Sequence, residues 1–313
     1  MTIMKKNLFL LGMLVCSMVT MAQTESADKQ ESWYFKLGGS YFIQTAATEF
    51  PTVSGALPNT DVYAADGTTL ISRETNHGSF GEGFRSGLTA GYRFSPRLGV
   101  EVGVNYFSSA SKTMVETTNR LVGAGPTFAT GKAEGKIRAF DVAPALVMFL
   151  GEAHGFEPYT KVGVIVPVHG DLTIETTRAY TNPLGVTNSY TKDVVKPNPT
   201  VGFLAALGTS YKLGTHIALF AELEYRNFTV HGKTKETEVY TENGVDKLNT
   251  PTNFRQDASY SASHTNYVDK IDTGSNSKVT NAAGFDNTRA TDDISSFVGI
   301  SGLGLTFGLK YSL

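Results

Sequence analysis

The final stretch of the chain, 297–313, reads FVGISGLGLTFGLKYSL and narrows the possible folds more than any other. Counted in twos from the terminus, Leu313, Tyr311, Leu309, Phe307, Leu305 and Leu303 fall on one side. Ser312, Lys310, Gly308, Thr306, Gly304 and Gly302 fall on the other. A period of two is that of a β-strand, here with one large apolar face and one small or polar face. No helix-rich or sandwich-forming sequence surrounds it to cover the apolar side, so the simplest solvent for that side is lipid. A strand meets lipid only within a sheet closed on itself, because unpaired backbone N–H and C=O groups cannot be left in hydrocarbon. The fold then turns on whether the chain supplies the other staves.

Seven further segments have the same pattern. Trp33, Phe35, Leu37, Gly39 and Tyr41 alternate with Tyr34, Lys36, Gly38 and Ser40. Phe84 to Phe94 and Leu98 to Tyr106 form a hairpin about Ser95-Pro96, with Arg85, Arg93 and Glu101 on the polar side. Phe140, Val142, Pro144, Leu146, Met148 and Leu150 alternate with Asp141, Ala143, Ala145 and Val147, although Pro144 removes a ladder donor and suggests a bulge or weak edge. Val162, Val164, Val166 and Val168 oppose Lys161, Gly163, Ile165 and Pro167, the least regular of the segments. Val201 to Tyr211 and Ile217 to Tyr225 form the last hairpin, turning at Gly214-Thr215 and placing Lys212, Glu222, Glu224 and Arg226 on the polar face. The connections alternate long and short, the long ones being about 47–83, 112–135, 172–199 and 233–293. An up-and-down barrel of eight antiparallel strands explains that alternation, with long loops on one rim and short turns on the other. A hairpin hidden in 233–293 would raise the number to ten.

The amino terminus places Lys5 and Lys6 before an apolar run, 7–19, followed by Thr20-Met21-Ala22. This reads as a secretory signal peptide spanning 1–22, with 23–313 as one mature domain. A lipoprotein signal on Cys16 is the alternative, against which Val15 is a poor preceding residue. Cys16 is the sole cysteine, so the mature chain offers no disulfide, zinc-thiolate site or thiol nucleophile. A formal charge of −2 gives no electrostatic footprint for nucleic acid. No phosphate-binding glycine motif is present, and no cofactor is expected.

On this pattern the chain resembles the small outer-membrane β-barrel family of the OmpA and OmpX type. The signal peptide, the hairpin GYRFSPRLGVEVGVNYF at 91–107, the PYTKVGVIVPV stretch at 158–168 and the glycine-alternating last strand carry the resemblance. It implies export to the bacterial outer membrane and recognition of the last strand by the barrel-assembly machinery. Leu313 stands at the end where many relatives have an aromatic residue, with Tyr311 two before it. No peptidoglycan-binding domain follows the barrel, so a periplasmic anchoring role is not implied. A monomer in outer-membrane lipid is expected.

The polar faces point inward in such a barrel and collect Lys36, Arg85, Arg93, Lys161, Lys212, Arg226 and Lys310 with Glu101, Asp141, Glu222 and Glu224. An eight-stranded barrel is just wide enough for side chains to fill, so a structural charge network sealing the lumen is expected, with the inward glycines 302, 304 and 308 leaving room for charged neighbours. A narrow pore or transporter for small solutes is the alternative. Trp33, Tyr34, Tyr92, Tyr211 and Tyr311 on the short-turn side, and Tyr41, Tyr106 and Tyr225 on the loop side, read as two interfacial girdles. His169 with Asp171, and His231 at a similar height, raise a third reading, a rim-site hydrolase. Two residues do not make a catalytic constellation, so no enzyme is expected. The pairs Asp292-Asp293 and Asp269, Asp272 read as solvated loop charges that could at most hold surface Ca²⁺. The loops, rich in Thr, Ser, Asn and Tyr, suit partial disorder or strand extensions above the membrane. They also suit adhesion-like contacts with host or matrix ligands.

Overall fold

The computed structural model describes residues 32–123, 125–198 and 200–313. The proposed signal peptide, 1–22, lies outside them. Eight strands form the barrel: β1 (Ser32–Gln44), β2 (Gly83–Arg93), β3 (Leu98–Ser109), β4 (Phe128–Phe149), β5 (Phe156–Asn182), β6 (Gly202–Lys212), β7 (Ile217–Asn227) and β8 (Gly302–Ser312). Each pairs antiparallel with the next in sequence. The ring closes where β1 pairs with β8, from Tyr34 opposite Ser312 to Gln44 opposite Gly302. Closure gives every stave a hydrogen-bonded neighbour on both edges, which is what a sheet in hydrocarbon requires.

Alternation sorts the side chains as the period of two demands. Phe35, Leu37, Leu88, Val102, Val104, Leu146, Val162, Leu207, Leu223, Leu305 and Phe307 lie exposed on the outer wall. Their neighbours in sequence, among them Lys36, Glu101, Lys161, Glu222 and Thr306, are buried inside. The outer aromatic residues meet near the strand ends. Trp33 packs on Tyr92 and Phe156 on Tyr211 at the short turns, and Tyr106 on Phe140 at the loop rim. Tyr34 is not a girdle residue. It takes the inward parity of β1, is 2% exposed, and donates its hydroxyl hydrogen to Glu101 Oε1 at 3.0 Å.

The long connections are built of strand more than of irregular loop. β4 and β5 continue their ladder far beyond the barrel, to Thr181 opposite Phe128. Strand Lys112–Leu121 pairs along the upper part of β4, and Gly185–Asn198 along the upper part of β5. Thr229–Glu242 extends that sheet further. Asn59–Tyr63 runs parallel to Lys112–Leu121 and carries Leu70–Thr75 on its free side. None of these joins the ring, so the strands within 233–293 do not add staves. Inside the raised sheet sits an apolar core that includes Phe50, Phe80, Met114, Ile137, Leu172 and Ile174.

The ladder of β5 contains one irregularity. Pro167 lies opposite Asp141 but His169 lies opposite Phe140, leaving Val168 unopposed. One extra residue reverses inside and outside for everything that follows. Lys161 and Ile165 face in at odd positions below the bulge, and Leu172, Ile174 and Thr176 face in at even positions above it.

Candidate functional site

Three tiers of charge fill the lumen. Nearest the short turns, Arg93 Nη1 lies 2.5 Å from Glu157 Oε1, and Lys310 Nζ lies 3.3 Å from Glu157 Oε2. The Arg93 guanidinium also sits 4.0 Å from the centre of the Phe149 ring, a cation–π arrangement. In the middle tier Lys36 bridges Glu101 Oε1 at 2.5 Å and Glu222 Oε1 at 3.0 Å, while Lys161 reaches Glu222 Oε2 at 2.7 Å. Tyr159 donates its hydroxyl hydrogen to Glu222 Oε1 at 2.7 Å. Toward the loops, Arg85 Nη2 pairs with Glu224 Oε2 at 2.9 Å and Arg226 Nη2 with Asp141 Oδ1 at 2.7 Å. Asn105 donates to the same Asp141 oxygen.

Ten of the eleven inward charges read from the sequence thus meet in the lumen, and Lys212 does not. It has the inward parity of β6 but stands past the end of the barrel, 48% exposed, and pairs with Glu152 at 2.6 Å on the short-turn rim. Glu157, which is not among the inward charges read from the sequence, joins them in the lumen. Its parity with Tyr159 and Lys161 was the available signal.

The inward glycines serve rings more than charges. A Cβ on Gly304 would lie 2.5 Å from the Phe42 ring, and one on Gly308 would lie 2.6 Å from that of Phe220. Gly91 and Gly208 leave the same room for Tyr34 and Tyr159. Those rings carry the tyrosine hydroxyls and cation–π faces that the ion pairs use.

At the outer mouth the lining changes. A cavity of about 70 Å³ lies between the Asp141–Arg226 pair and the core of the raised sheet, with Phe107, Leu172, Phe228, Val230 and Ile300 among its walls. His169, Asp171 and His231 all border it. His169 Nε2 is 3.7 Å from Asp171 Oδ2, and the His169 side chain is 71% exposed. His231 Nδ1 lies 3.1 Å from Ser295 Oγ, which itself donates to the Gly232 carbonyl, and its ring packs on Phe297. The histidines therefore share a rim but are engaged separately.

The acidic pairs of the last loop act as hydrogen-bond acceptors. Asp292 Oδ2 accepts the Asn276 N–H at 2.7 Å, Asp293 accepts that of Ile294, and Asp272 accepts that of Gly274 and pairs with Lys270. Among the described residues no group of three His, Cys, Asp or Glu side chains gathers as a metal site would require.

Residues 9–260 match the family model described as "Outer membrane protein beta-barrel domain". The chain belongs to this outer-membrane β-barrel family. Its match spans the first seven staves, and β8 lies beyond it. Among solved structures the chain is similar to the outer membrane protein OprG from Pseudomonas aeruginosa, at 13% identity, covering 91% of this chain and 97% of that one with a TM-score of 0.40. It is also similar to Ail, the attachment invasion locus protein of Yersinia pestis, solved with the heparin analogue sucrose octasulfate, at 10% identity, covering 90% and 97% with a TM-score of 0.30. No curated protein matches the chain.

Proposed function

We propose that the protein resides in the bacterial outer membrane as a closed barrel and acts through the sheet it raises above the bilayer, in a structural or adhesion-like role. The length of β5 carries this reading. A membrane crossing takes roughly 9–11 residues of strand, yet β5 runs from Phe156 to Asn182 and stays laddered to β4 almost to its tip. Such a sheet holds a fixed surface away from the lipid, which solvated filler would not do. Host or matrix macromolecules are the partners this surface suits. Tyr311 and Leu313 supply the contact for the assembly machinery, and a monomer suffices because the ring is complete within one chain.

The ion-pair tiers support a lumen that does not conduct. A narrow pore is the second reading, favoured by one observation. Glu101 Oε2, Glu224 Oε1 and Thr306 Oγ1 are buried without a hydrogen-bond partner and border a polar cavity of about 40 Å³. That is room for water, which needs roughly 10–15 Å³. Planar-bilayer recording of the purified chain separates the two. A silent bilayer is expected, and stable unitary currents would overturn the closed lumen. The surface role is tested by shaving the raised sheet from intact cells with protease. Binding of those cells to host matrix should fall, and unchanged binding would remove the adhesion-like role.

A further inference from the structure

Near the tip of the raised sheet, one row of side chains crosses five strands without a break in register. Glu116 lies opposite Lys132, Lys132 opposite Thr177, Thr177 opposite Tyr190 and Tyr190 opposite Thr241. Their sequence neighbours Ala133, Thr176 and Ser189 are buried, so alternation puts this row on the water side of the sheet. A second row, one step nearer the tip on the same face, consists of Thr130, Ala179 and Asn188. The short side chains of Thr130, Thr177 and Ala179 make a floor, with Glu116 and Lys132 standing at one end and Tyr190 at the other. A trough of about 610 Å³ lies over them. Strands spaced about 4.8 Å apart make the row roughly 19 Å long. Lys132 precedes Phe140 of the loop-side aromatic belt by eight residues on β4, which places the trough roughly 26 Å up the strand from the lipid boundary.

The lining selects among partners. Ala179 is the only aliphatic side chain in the two rows, so the trough offers no pocket for the apolar or aromatic anchors that carry protein interfaces. Its charges disfavour a polyanion. Glu116, Glu134 and Glu175 outnumber Lys132 and Lys192 on this face, Glu134 stands directly opposite Glu175, and Lys132 Nζ is already 2.8 Å from Glu134. What remains is one aromatic ring beside hydroxyl and amide groups. Glu175 engages the Tyr190 hydroxyl and so holds that ring in place before a ligand arrives. A pyranose ring has the matching two-sidedness, with a C–H face that stacks on an aromatic ring and hydroxyls at its edge that exchange hydrogen bonds with Thr, Asn and Lys. We propose that this trough binds a strand of uncharged polysaccharide, with a sugar ring on Tyr190 and its neighbours along Thr177, Asn188 and Lys132. The inference rests on the surface role proposed above and gives it a partner class. The polysaccharide belongs to an external matrix. The trough runs across the strands, so a sugar chain rising beside the barrel from its own membrane would cross it, whereas a chain laid over the cell follows it.

The full mature chain in lipid nanodiscs is passed over immobilised linear oligosaccharides of glucose, mannose, galactose and N-acetylglucosamine, with a sulfated oligosaccharide of equal length beside them. Retention by at least one uncharged chain and not by the sulfated one is expected. Tyr190→Ala should weaken that binding about tenfold or more, while Tyr190→Phe, which keeps the ring, should stay within about twofold of the unaltered protein. Ala179→Arg, which fills the floor, should abolish it. Heat-modifiable migration checks that each variant is folded, and the two substitutions test the trough independently should one of them fail that check. No retention by any uncharged chain, preference for the sulfated one, or equal binding by Tyr190→Ala or Ala179→Arg would overturn the site. Nanodiscs carrying the producing cell's own outer-leaflet glycolipid supply the other source of sugar, and loss of binding to the free chains in their presence would overturn the assignment to an external matrix. On intact cells, attachment to a surface coated with the retained polysaccharide should fall with Tyr190→Ala. Attachment that falls on protease shaving but not with Tyr190→Ala would remove the trough and leave the surface role standing, whereas attachment that shaving leaves unchanged would remove both.

Discussion

β4 passes through two regions that obey opposite rules. Along its whole length the odd residues face in, but in the barrel the inward set includes Asp141 while the outward set is Phe140, Val142, Pro144, Leu146 and Met148. A few residues earlier, in the raised sheet, the inward set holds Ala133 and Ile137 while the outward set is Lys132, Glu134, Lys136 and Arg138. The switch between Arg138 and Phe140 marks where the outer solvent changes from water to lipid. Above it, burying apolar surface against water drives folding and puts Ile137 inside. Below it, lipid is as apolar as any core, so burial offers no such drive. The interior is then free to hold charge, provided every charge is paired.

The sharpest way to break this contrast is at the bulge. Deleting Val168 should realign β5 without its extra residue and turn Leu172 and Ile174 from the core of the raised sheet toward water. Each side chain stands to lose roughly 1.5–3 kcal/mol of burial. External protease should then cut within 112–198 far faster, while the barrel keeps its heat-modifiable migration. An unchanged cutting rate would show that the bulge does not set the inside of the raised sheet. Slightly smaller is the cost of Glu222→Ala, which leaves Lys36 and Lys161 short of a buried partner. Breaking such a network typically costs about 3–5 kcal/mol. Here the raised sheet should be untouched and the barrel should unfold at lower urea. A shift confined to the loops would contradict the division.

The barrel was legible because its signal is local. Period two, tight turns such as Ser95-Pro96 and the long-short alternation of connections all lie within neighbouring residues. Parity alone placed ten lumen charges, and it failed at Lys212 because parity gives a direction and not a height. The raised sheet was harder to read. Its strands pair residues far apart, as Thr191 with Tyr240 does, and their outward faces are Thr, Lys and Glu, which read as loop when hydropathy is the guide. Glu157 lies before the alternating valines 162–168 that mark β5 in the sequence, although the strand begins at Phe156.

The smallest effect concerns the last loop, where polar contacts replace the apolar core found below it. Asn276 is buried, donates its side-chain amide to the carbonyls of Asp286 and Ala290, and accepts the Asp286 N–H at 2.8 Å. Around it, the Thr288 hydroxyl and N–H hold the Asp286 carboxyl below the usual carboxylate range. The Ser259 hydroxyl and N–H, with Lys278, do the same for Asp257. A carboxyl whose folded value is depressed contributes stability that is complete above its unfolded value, roughly pH 3.9, and is lost as pH falls through the folded value. Hydrogen-exchange protection across 257–292 should therefore be flat from neutrality down to about pH 4 and decline below it. Over the same range the amides around Phe80, Met114 and Ile137 should keep theirs, because apolar burial does not titrate. Protection of the loop that persisted well into strong acid would mean that its carboxylates are bystanders. Parallel loss in both regions would mean that the loop and the apolar core below it open as one unit.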